Sequence, residues 1–184
     1  MENFEFPFPD KALAQQELAY DFCYAKIPPI DRERIVEMAW EKGVDAAKQI
    51  FKEQKGNSDF FAIAKSSGLA IIEKDMDYIA GGQRYFSDYV SGQSVIHLYL
   101  GSIQLWAEQN GLNLKTAEML ILSHEYFHFL ECTRLGLTSR LYQVPAIRCG
   151  PLRVGKVGIR ALSEIGAHAF ARTYYELLKE GTNQ

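Results

Sequence analysis

The sequence predicts an α+β fold in which a small sheet of three antiparallel strands packs against helices. Apolar residues recur at helical spacing as far as residue 67, and short strand-like runs follow in residues 69–100. From residue 102 onward the helical spacing returns. Because helices and strands fall in separate parts of the chain rather than alternating, the pattern favours α+β over α/β.

The first 67 residues are predicted to form an irregular arm and two helices. Residues 1–30 are rich in aromatics and prolines, which predicts an irregular N-terminal arm with one short helix near residues 11–22. A long helix is predicted for residues 31–55, where Asp31 is a suitable N-cap and apolar residues recur at helical spacing. Residues 58–67 predict a second, shorter helix.

The sheet is predicted from three runs rich in Ile, Val and Tyr, at residues 69–73, 83–90 and 94–100. Turn signals at Gly81–Gly82 and Ser91–Gly92 separate these runs. We therefore expect the three strands to form an antiparallel sheet.

The rest of the chain is predicted to be helical, with one long loop. Helices are expected at residues 102–109, 113–134 and 159–179 because apolar residues recur there at helical spacing. Residues 135–158 contain six glycines and prolines, which predicts a long loop region.

Length and composition indicate one globular domain over residues 1–184, made of the arm and a core over residues 31–184. Of the 184 residues, 47% are hydrophobic and 23% charged, which is the balance of an ordinary globular protein. The net charge of −3 gives no global indication of nucleic-acid or membrane binding. A secretory signal is not recognisable, and an odd, scattered set of three cysteines favours a reducing compartment, so we expect a cytoplasmic location.

Residues 124–128 read His-Glu-Tyr-Phe-His and match the pattern HExxH. On a helix the two histidines are about 40° apart in projection, so His124 and His128 can reach one metal ion. Glu125 lies about 100° from His124, where its carboxylate can face a water on the metal without binding the metal. Composition alone would produce this pattern somewhere in the chain with a probability of roughly 0.7%. We therefore predict Zn²⁺ bound by His124 and His128, with Glu125 as the catalytic general base.

The helix that carries this motif is apolar almost all round between Met119 and Leu130, which predicts that it is buried. Two imidazoles and a carboxylate buried there cost several kcal/mol unless they have partners, and a metal ion supplies such partners. The alternative is a pair of hydrogen-bonded core histidines beside a structural glutamate.

The last predicted helix offers a third ligand. Glu164 is surrounded by small residues such as Ala161 and Ala167, which suggests close packing against another helix, and a carboxylate buried there needs a cation. We therefore expect Glu164 to complete the metal site. His168 lies one turn further along the same face, where it is a rival ligand, a residue that orients Glu164 or binds substrate, or a structural histidine.

Two histidines and one carboxylate leave a fourth position open for water, which is typical of a catalytic zinc site. Zinc lowers the pKa of such a water to about 7, and Glu125 can pass its proton to a leaving amine, so the pattern indicates peptide hydrolysis. Cobalt, manganese or iron could occupy the same ligands. Four residues could stabilise the oxyanion, and the sequence does not decide among them: Tyr142, Arg160, Arg172 and Tyr175.

These motifs resemble the ImmA/IrrE-type family of zinc metallopeptidases, which is gluzincin-like. The resemblance covers roughly residues 44–179 and is carried by SHEYFHFLE and by EIGAHAFARTYYELL. Members of the family have a late helix reading roughly E-x-x-A-N-x-F-A, which here begins at Glu164 and has His168 in place of Asn. The resemblance implies Glu164 as third ligand, residues 31–184 as a metallopeptidase-like core, and a zincin-like fold of three antiparallel strands against the metal-binding helices.

The chain departs from the family pattern at two places. Tyr126–Phe127 stands where Leu-Gly is usual, which implies different packing behind the helix. The stretch between His128 and Glu164 is long for the family, and if it borders the cleft its charge would favour an acidic substrate or partner. Its basic residues are Arg134, Arg140, Arg148, Arg153, Lys156 and Arg160.

The resemblance implies cleavage of a protein or peptide substrate, often a transcriptional regulator, whose extended chain would pair with the strand beside the cleft. One alternative is a catalytically silent zinc-binding regulatory module that acts by protein binding, although a purely structural site has no need of Glu125. Another alternative is a helical scaffold in which HExxH is accidental. We expect no direct nucleic-acid binding and no association with a membrane.

Overall fold

The protein is α+β, as predicted, in a computed structural model that describes residues 7–149 and 152–182. The helices are α1 (Ala14–Ala19), α2 (Pro29–Glu53), α3 (Phe60–Ser66), α4 (Leu100–Gln109), α5 (Leu114–Leu130) and α6 (Ala161–Thr182). The strands are β1 (Ala70–Lys74), β2 (Tyr78–Ala80), β3 (Gln83–Tyr85), β4 (Ser87–Val90), β5 (Val95–Tyr99), β6 (Gln143–Cys149) and β7 (Leu152–Gly158). Short 3-10 turns span Tyr24–Lys26 and Thr138–Arg140, and a π-helical turn, Glu131–Leu135, continues α5.

The three-stranded sheet is mixed, so the prediction of an antiparallel sheet is wrong. Its order is β1-β5-β4, with β1 parallel and β4 antiparallel to the central β5. The run at residues 83–90 does not form one strand beside β1. It divides at Phe86 into β3, which pairs with β2 in a separate hairpin, and β4, which returns along the far side of β5. The difference from the prediction is the order of the strands, because β1 pairs with β5 rather than with the strand that precedes β5.

The long loop predicted for residues 135–158 instead contains a second hairpin, so this prediction is also wrong. Strands β6 and β7 pair with each other and with no other strand among the described residues. Val144 and its partner Val157 pack against the core at one end of the hairpin, but Ile147 and Val154, which are opposite each other, are both exposed, so no continuous apolar face marks the strands in the sequence. Lys26 holds the hairpin by donating hydrogen bonds to the carbonyl oxygens of Pro145 and Ala146.

Helix α2 begins at Pro29 rather than at the predicted N-cap, Asp31. Proline suits the first position of a helix because its φ is already helical and its missing N–H would have no partner there. The Asp31 carboxylate instead accepts hydrogen bonds from Arg34 and from the Tyr142 hydroxyl. The Asn113 side chain does cap a helix, since it accepts a hydrogen bond from the Thr116 amide at the start of α5.

Helices α2, α5 and α6 pack closely because glycines lie where they meet. A Cβ at Gly43 of α2 would be 2.1 Å from the carbonyl oxygen of Gly166 in α6. A Cβ at Gly166 would in turn be 2.8 Å from the ring of Phe127 in α5. Interiors of this density leave no space for a larger side chain, so the two glycines let α6 approach the helix that carries the HExxH motif.

The N-terminal segment is folded onto these helices. Leu18, Cys23 and Ile27 are buried, and Asp21 accepts a hydrogen bond of 3.0 Å from the Ala161 amide at the start of α6. A segment that we expected to be irregular apart from one helix therefore caps the helix that carries Glu164. Residues 1–6 of the predicted arm lie outside the described part of the chain. None of the described helices combines the length and apolar character that a membrane crossing requires.

Candidate metal centre

Helix α5 brings the HExxH residues to the centre of the molecule. His124 and His128 are one turn apart, and their Nε2 atoms are 3.3 Å from each other. The helix is buried on nearly all sides, with Leu120, Leu122 and Phe127 inaccessible to solvent, as its composition predicted. Two ring nitrogens are therefore directed at one point within a largely apolar environment.

Glu164, in the first turn of α6, reaches the same point. Its Oε2 atom is 3.3 Å from Nε2 of His124, and its Oε1 atom is 3.7 Å from Nε2 of His128. A tetrahedral zinc ion with bonds of about 2.0–2.2 Å holds neighbouring ligand atoms about 3.3–3.6 Å apart. The donor set and its spacing thus fit zinc, and among the described residues these three form the group that could hold a metal ion.

In this group the attraction between opposite charges affects the pKa values more strongly than burial does. Burial by itself lowers the pKa of His128, but its hydrogen bonds to Glu131 and Glu164 raise the pKa well above the usual value. Burial by itself raises the pKa of Glu164, but hydrogen bonds from His124 and His128 hold the pKa well below the usual value. The site therefore favours positive charge where the three side chains meet.

Glu131 orients the ring of His128 and is a functional candidate that the sequence analysis missed. The Nδ1 atom of His128 donates to Glu131 Oε2 at 3.0 Å, which holds the ring with Nε2 facing His124 and Glu164. Glu131 is only 3% exposed, and its other oxygen accepts hydrogen bonds from the Thr138 amide (2.6 Å) and the Ser163 hydroxyl (3.0 Å). Its position three residues after His128 places it on the same side of the helix, which is the signal that could have identified it.

Replacing Glu131 by glutamine is expected to weaken zinc binding by about 10–100-fold. The carboxylate increases the basicity of His128 as a ligand, and a neutral amide does not. A competition titration against a chromophoric zinc chelator measures the change. Glu118→Gln, a substitution of the same chemistry elsewhere on α5, is the matched control and should leave the affinity unchanged. Equal affinities of the Glu131 variant and the native protein would contradict this role.

Glu125 lies beside the three donor atoms without joining them. It is 7% exposed, and its Oε1 atom accepts a hydrogen bond of 2.6 Å from the Ser87 hydroxyl on β4. Within residues 7–149 and 152–182, strand β4 lies at the edge of its sheet and pairs with β5 on one side. The sequence analysis assigned no role to Ser87, which only the fold brings next to the motif.

His168 is close to His124 but outside the three-residue group. Its ring centroid is 4.9 Å from that of His124, and Phe8 packs against both rings. Burial, followed by the nearby charge of His124, lowers the pKa of His168 to about 3. The Nδ1 atom of His124 is buried and has no hydrogen-bond partner in the described part of the chain, so packing against Phe8 and His168 orients this ring. His97, to which the sequence analysis gave no role, pairs with Asp88 in the sheet.

Two cavities meet at this cluster, and His124, Glu125 and Glu164 line both of them. One has a volume of about 290 Å³ and aromatic walls that include Trp106. The other has a volume of about 770 Å³ and is more polar, with Arg160 on its wall. Together they form a cleft that gives a ligand access to the cluster.

Of the residues considered as oxyanion donors, Arg160 lines the cleft. The Tyr142 hydroxyl is bonded to Asp31, and Arg172 is bonded to Glu176.

The basic stretch does not border the cleft as a unit, because Arg134 is paired with Glu53 elsewhere on the surface. The side chains of Arg148 and Arg153 lie outside the described residues.

No family model, curated protein or solved structure matches the chain. The family resemblance inferred from the motifs therefore stays a prediction. The interpretation of the site depends on the geometry of His124, His128 and Glu164 and on the position of Glu125 beside them.

Proposed function

We propose that the protein is a zinc-dependent peptidase, a zincin-like metallopeptidase that hydrolyses a peptide bond of a protein or peptide substrate. The observation that carries the proposal is the spacing of the donor atoms of three side chains, whose nearest atoms are 3.3 to 3.7 Å apart, with the Glu125 carboxylate beside them. Two neutral imidazoles and one carboxylate are the ligand set of catalytic zinc sites, which keep one position open.

Each residue of the site has a distinct task in this proposal. His124, His128 and Glu164 hold the ion, which would supply Lewis-acid activation of water and of the peptide carbonyl. Ser87 fixes Oε1 of Glu125 by its hydrogen bond, which leaves Oε2 to accept a proton from water and to return it to the leaving amine. Burying the Glu125 carboxylate costs desolvation energy, and its hydrogen-bond partner is a hydroxyl rather than a cation. A purely structural role does not explain this cost. Glu125 thus favours a peptidase over a catalytically silent zinc-binding module.

The substrate is proposed to be an extended peptide. Strand β4 carries Ser87, lines the cleft and has no partner on its outer edge in the described part of the chain, so a peptide added there would lie beside His124, Glu125 and Glu164. A transcriptional regulator, the substrate class implied by the family resemblance, would present such a segment from an exposed loop.

Removal of the metal is expected to abolish peptide hydrolysis, because no residue of the cleft replaces the ion as Lewis acid. Mass spectrometry of a defined peptide mixture, incubated with the purified protein, identifies the cleaved bonds. 1,10-Phenanthroline should stop cleavage and added zinc should restore it, whereas the non-chelating isomer 1,7-phenanthroline should have no effect. Cleavage that persists in the chelator, or zinc-loaded protein that cuts no peptide, would contradict the proposal.

A further inference from the structure

The smaller of the two cavities at the metal cluster has one wall of apolar side chains. We call this the apolar wall, and it consists of Phe8, Phe86, Trp106 and Ile121. The Trp106 ring holds the wall together, since its centroid is 5.6 Å from that of Phe8 and 5.8 Å from that of Phe86. All four side chains pack in or against the hydrophobic core. They therefore bound the cavity rather than fill it.

The proposed reaction centre forms another side of the same cavity. His124, Glu125 and Glu164 line it, so a group bound there contacts the apolar wall and lies next to the proposed general base. An apolar cavity of roughly 150 Å³ takes up a benzene ring. The volume of about 290 Å³ measured here is therefore large enough for an aromatic or a large aliphatic side chain.

The charges around the cavity disfavour a charged ligand. Arg84 also lines it, but its guanidinium group makes hydrogen bonds of 2.7 and 3.0 Å to the Asp77 carboxylate. The carboxylates of Glu125 and Glu164 would repel an acidic side chain. A lysine side chain would lose hydration of its ammonium group against the apolar wall. The cavity therefore favours an uncharged, apolar side chain.

A peptide paired with β4 would direct side chains towards this cavity. Alternate residues of such a peptide face the side of the sheet that α5 covers. Two residues of β4 identify that side, because Ser87 donates to Glu125 and the Tyr89 ring is 6.2 Å from that of Phe129 in α5. Ser87 also lines the cavity, so a peptide residue beside Ser87 is next to the opening.

We propose that this cavity is the specificity subsite of the peptidase, which takes an aromatic or large aliphatic side chain from a residue next to the bond that is cut. The inference rests on the proposed function, since it calls the ligand a substrate. Trp106 is the residue that determines the specificity, because it contacts both other rings of the apolar wall. The substrate class is thus an extended peptide with a large apolar residue at the cleavage site.

Binding of three pentapeptides tests this inference without any need for turnover. Calorimetric titration in excess zinc uses N-acetyl-Ala-Ala-Xaa-Ala-Ala-amide, where Xaa is Phe, Ala or Lys, with protein carrying Glu125→Gln so that no probe is hydrolysed. The Phe peptide should bind about tenfold or more tighter than the Ala peptide, because it buries a large apolar side chain. The Lys peptide should bind no tighter than the Ala peptide. A Phe peptide that binds no tighter than the Ala peptide, or a Lys peptide that binds tightest, would overturn the inference.

Fluorescence of Trp106 tests where the side chain binds. The chain has two tryptophans, and Trp40 packs against a separate hydrophobic cluster, so Trp40→Phe makes Trp106 the sole tryptophan. The Phe peptide should shift the emission of Trp106 to shorter wavelength, with the Kd found by calorimetry, because its ring displaces water from the indole. The Ala peptide should cause no shift. Selective binding of the Phe peptide that leaves the emission of Trp106 unchanged would contradict the assignment of this cavity.

Removal of the Trp106 ring tests its role in specificity. In Trp106→Ala, the ratio of the affinities for the Phe and Ala peptides should fall by about 2–10-fold, the contribution of an aromatic pair. Trp106→Phe retains an aromatic wall and should keep most of the ratio, and Trp40→Phe is the matched control that should keep all of it. Loss of folded protein affects both affinities equally and leaves their ratio unchanged. An unchanged ratio in folded Trp106→Ala would contradict the inference.

Activity of the native protein separates this inference from the proposed function. Selective binding of the Phe peptide by a protein that cuts no peptide would support the subsite and contradict the peptidase. Hydrolysis of the Phe and Ala peptides with equal kcat/KM would support the peptidase and overturn the subsite.

Discussion

Replacing Glu125 by glutamine is expected to lower the turnover number by about 10²–10⁴-fold while leaving zinc bound, because the side chain is a proton acceptor rather than a ligand. Glutamine has nearly the same shape and can still accept the hydrogen bond from Ser87, so the packing around α5 should not change. It cannot accept a proton from water at neutral pH. Steady-state kinetics on a cleaved peptide, together with zinc analysis of the same preparation, measures the two effects.

The control for this substitution is internal, since the variant must retain one zinc ion per chain. A variant that turns over at the native rate would contradict the role of general base and would favour a module that acts by binding. A variant that loses its zinc would instead indicate that Glu125 supports the metal site.

Replacing His124 by alanine is expected to abolish the stabilisation that zinc gives the folded protein. A ligand present at 1,000 times its Kd stabilises the folded state by about 4.1 kcal/mol, and for a chain of this size that raises the Tm by roughly 8–16 °C. The variant retains two of the three donor atoms, which do not define a tetrahedral site, so its Tm should be the same with and without zinc. Thermal unfolding followed by circular dichroism, in chelator and in excess zinc, gives the difference.

His97→Ala is the matched control for this experiment. His97 pairs with Asp88 in the sheet and does not belong to the group of three residues that could hold the metal, so this variant should keep the full zinc-dependent rise in Tm. Each variant is judged by its Tm in zinc minus its Tm in chelator. Any loss of stability that truncation of the ring causes by itself therefore cancels. A zinc-dependent rise that survives in His124→Ala would show that the ion binds elsewhere.

Sequence reasoning works best for α5 because the information there is local. The spacing of His124 and His128 within one helix fixes their relation without any knowledge of the fold, and the apolar residues around them predict burial. The structure brings both imidazoles together as that spacing requires. The position of Glu164 beside the histidines depends on the packing of α6 against α5. The sequence indicates this packing only through the small residues around Glu164.

Features that depend on distant contacts escape the sequence analysis. The parallel pairing of β1 with β5 depends on the path of the chain after residue 74, and the spacing of apolar residues does not predict that path. Most of the β6–β7 hairpin is exposed and only its Val144–Val157 end packs against the core, so its apolar residues form no continuous buried face. Ser87 and Phe8 acquire their positions only when β4 and the N-terminal segment pack against α5. Glu131 is the exception, since its spacing from His128 is visible in the chain.

The proposed function requires that His124, His128 and Glu164 together hold one zinc ion. Anomalous scattering at the zinc edge, from crystals of the zinc-loaded protein, tests this requirement. We expect a single peak about 2.0–2.2 Å from both Nε2 atoms and from a carboxylate oxygen of Glu164. An ion bound by His168 in place of Glu164, or the absence of any peak between the two imidazoles, would contradict the account.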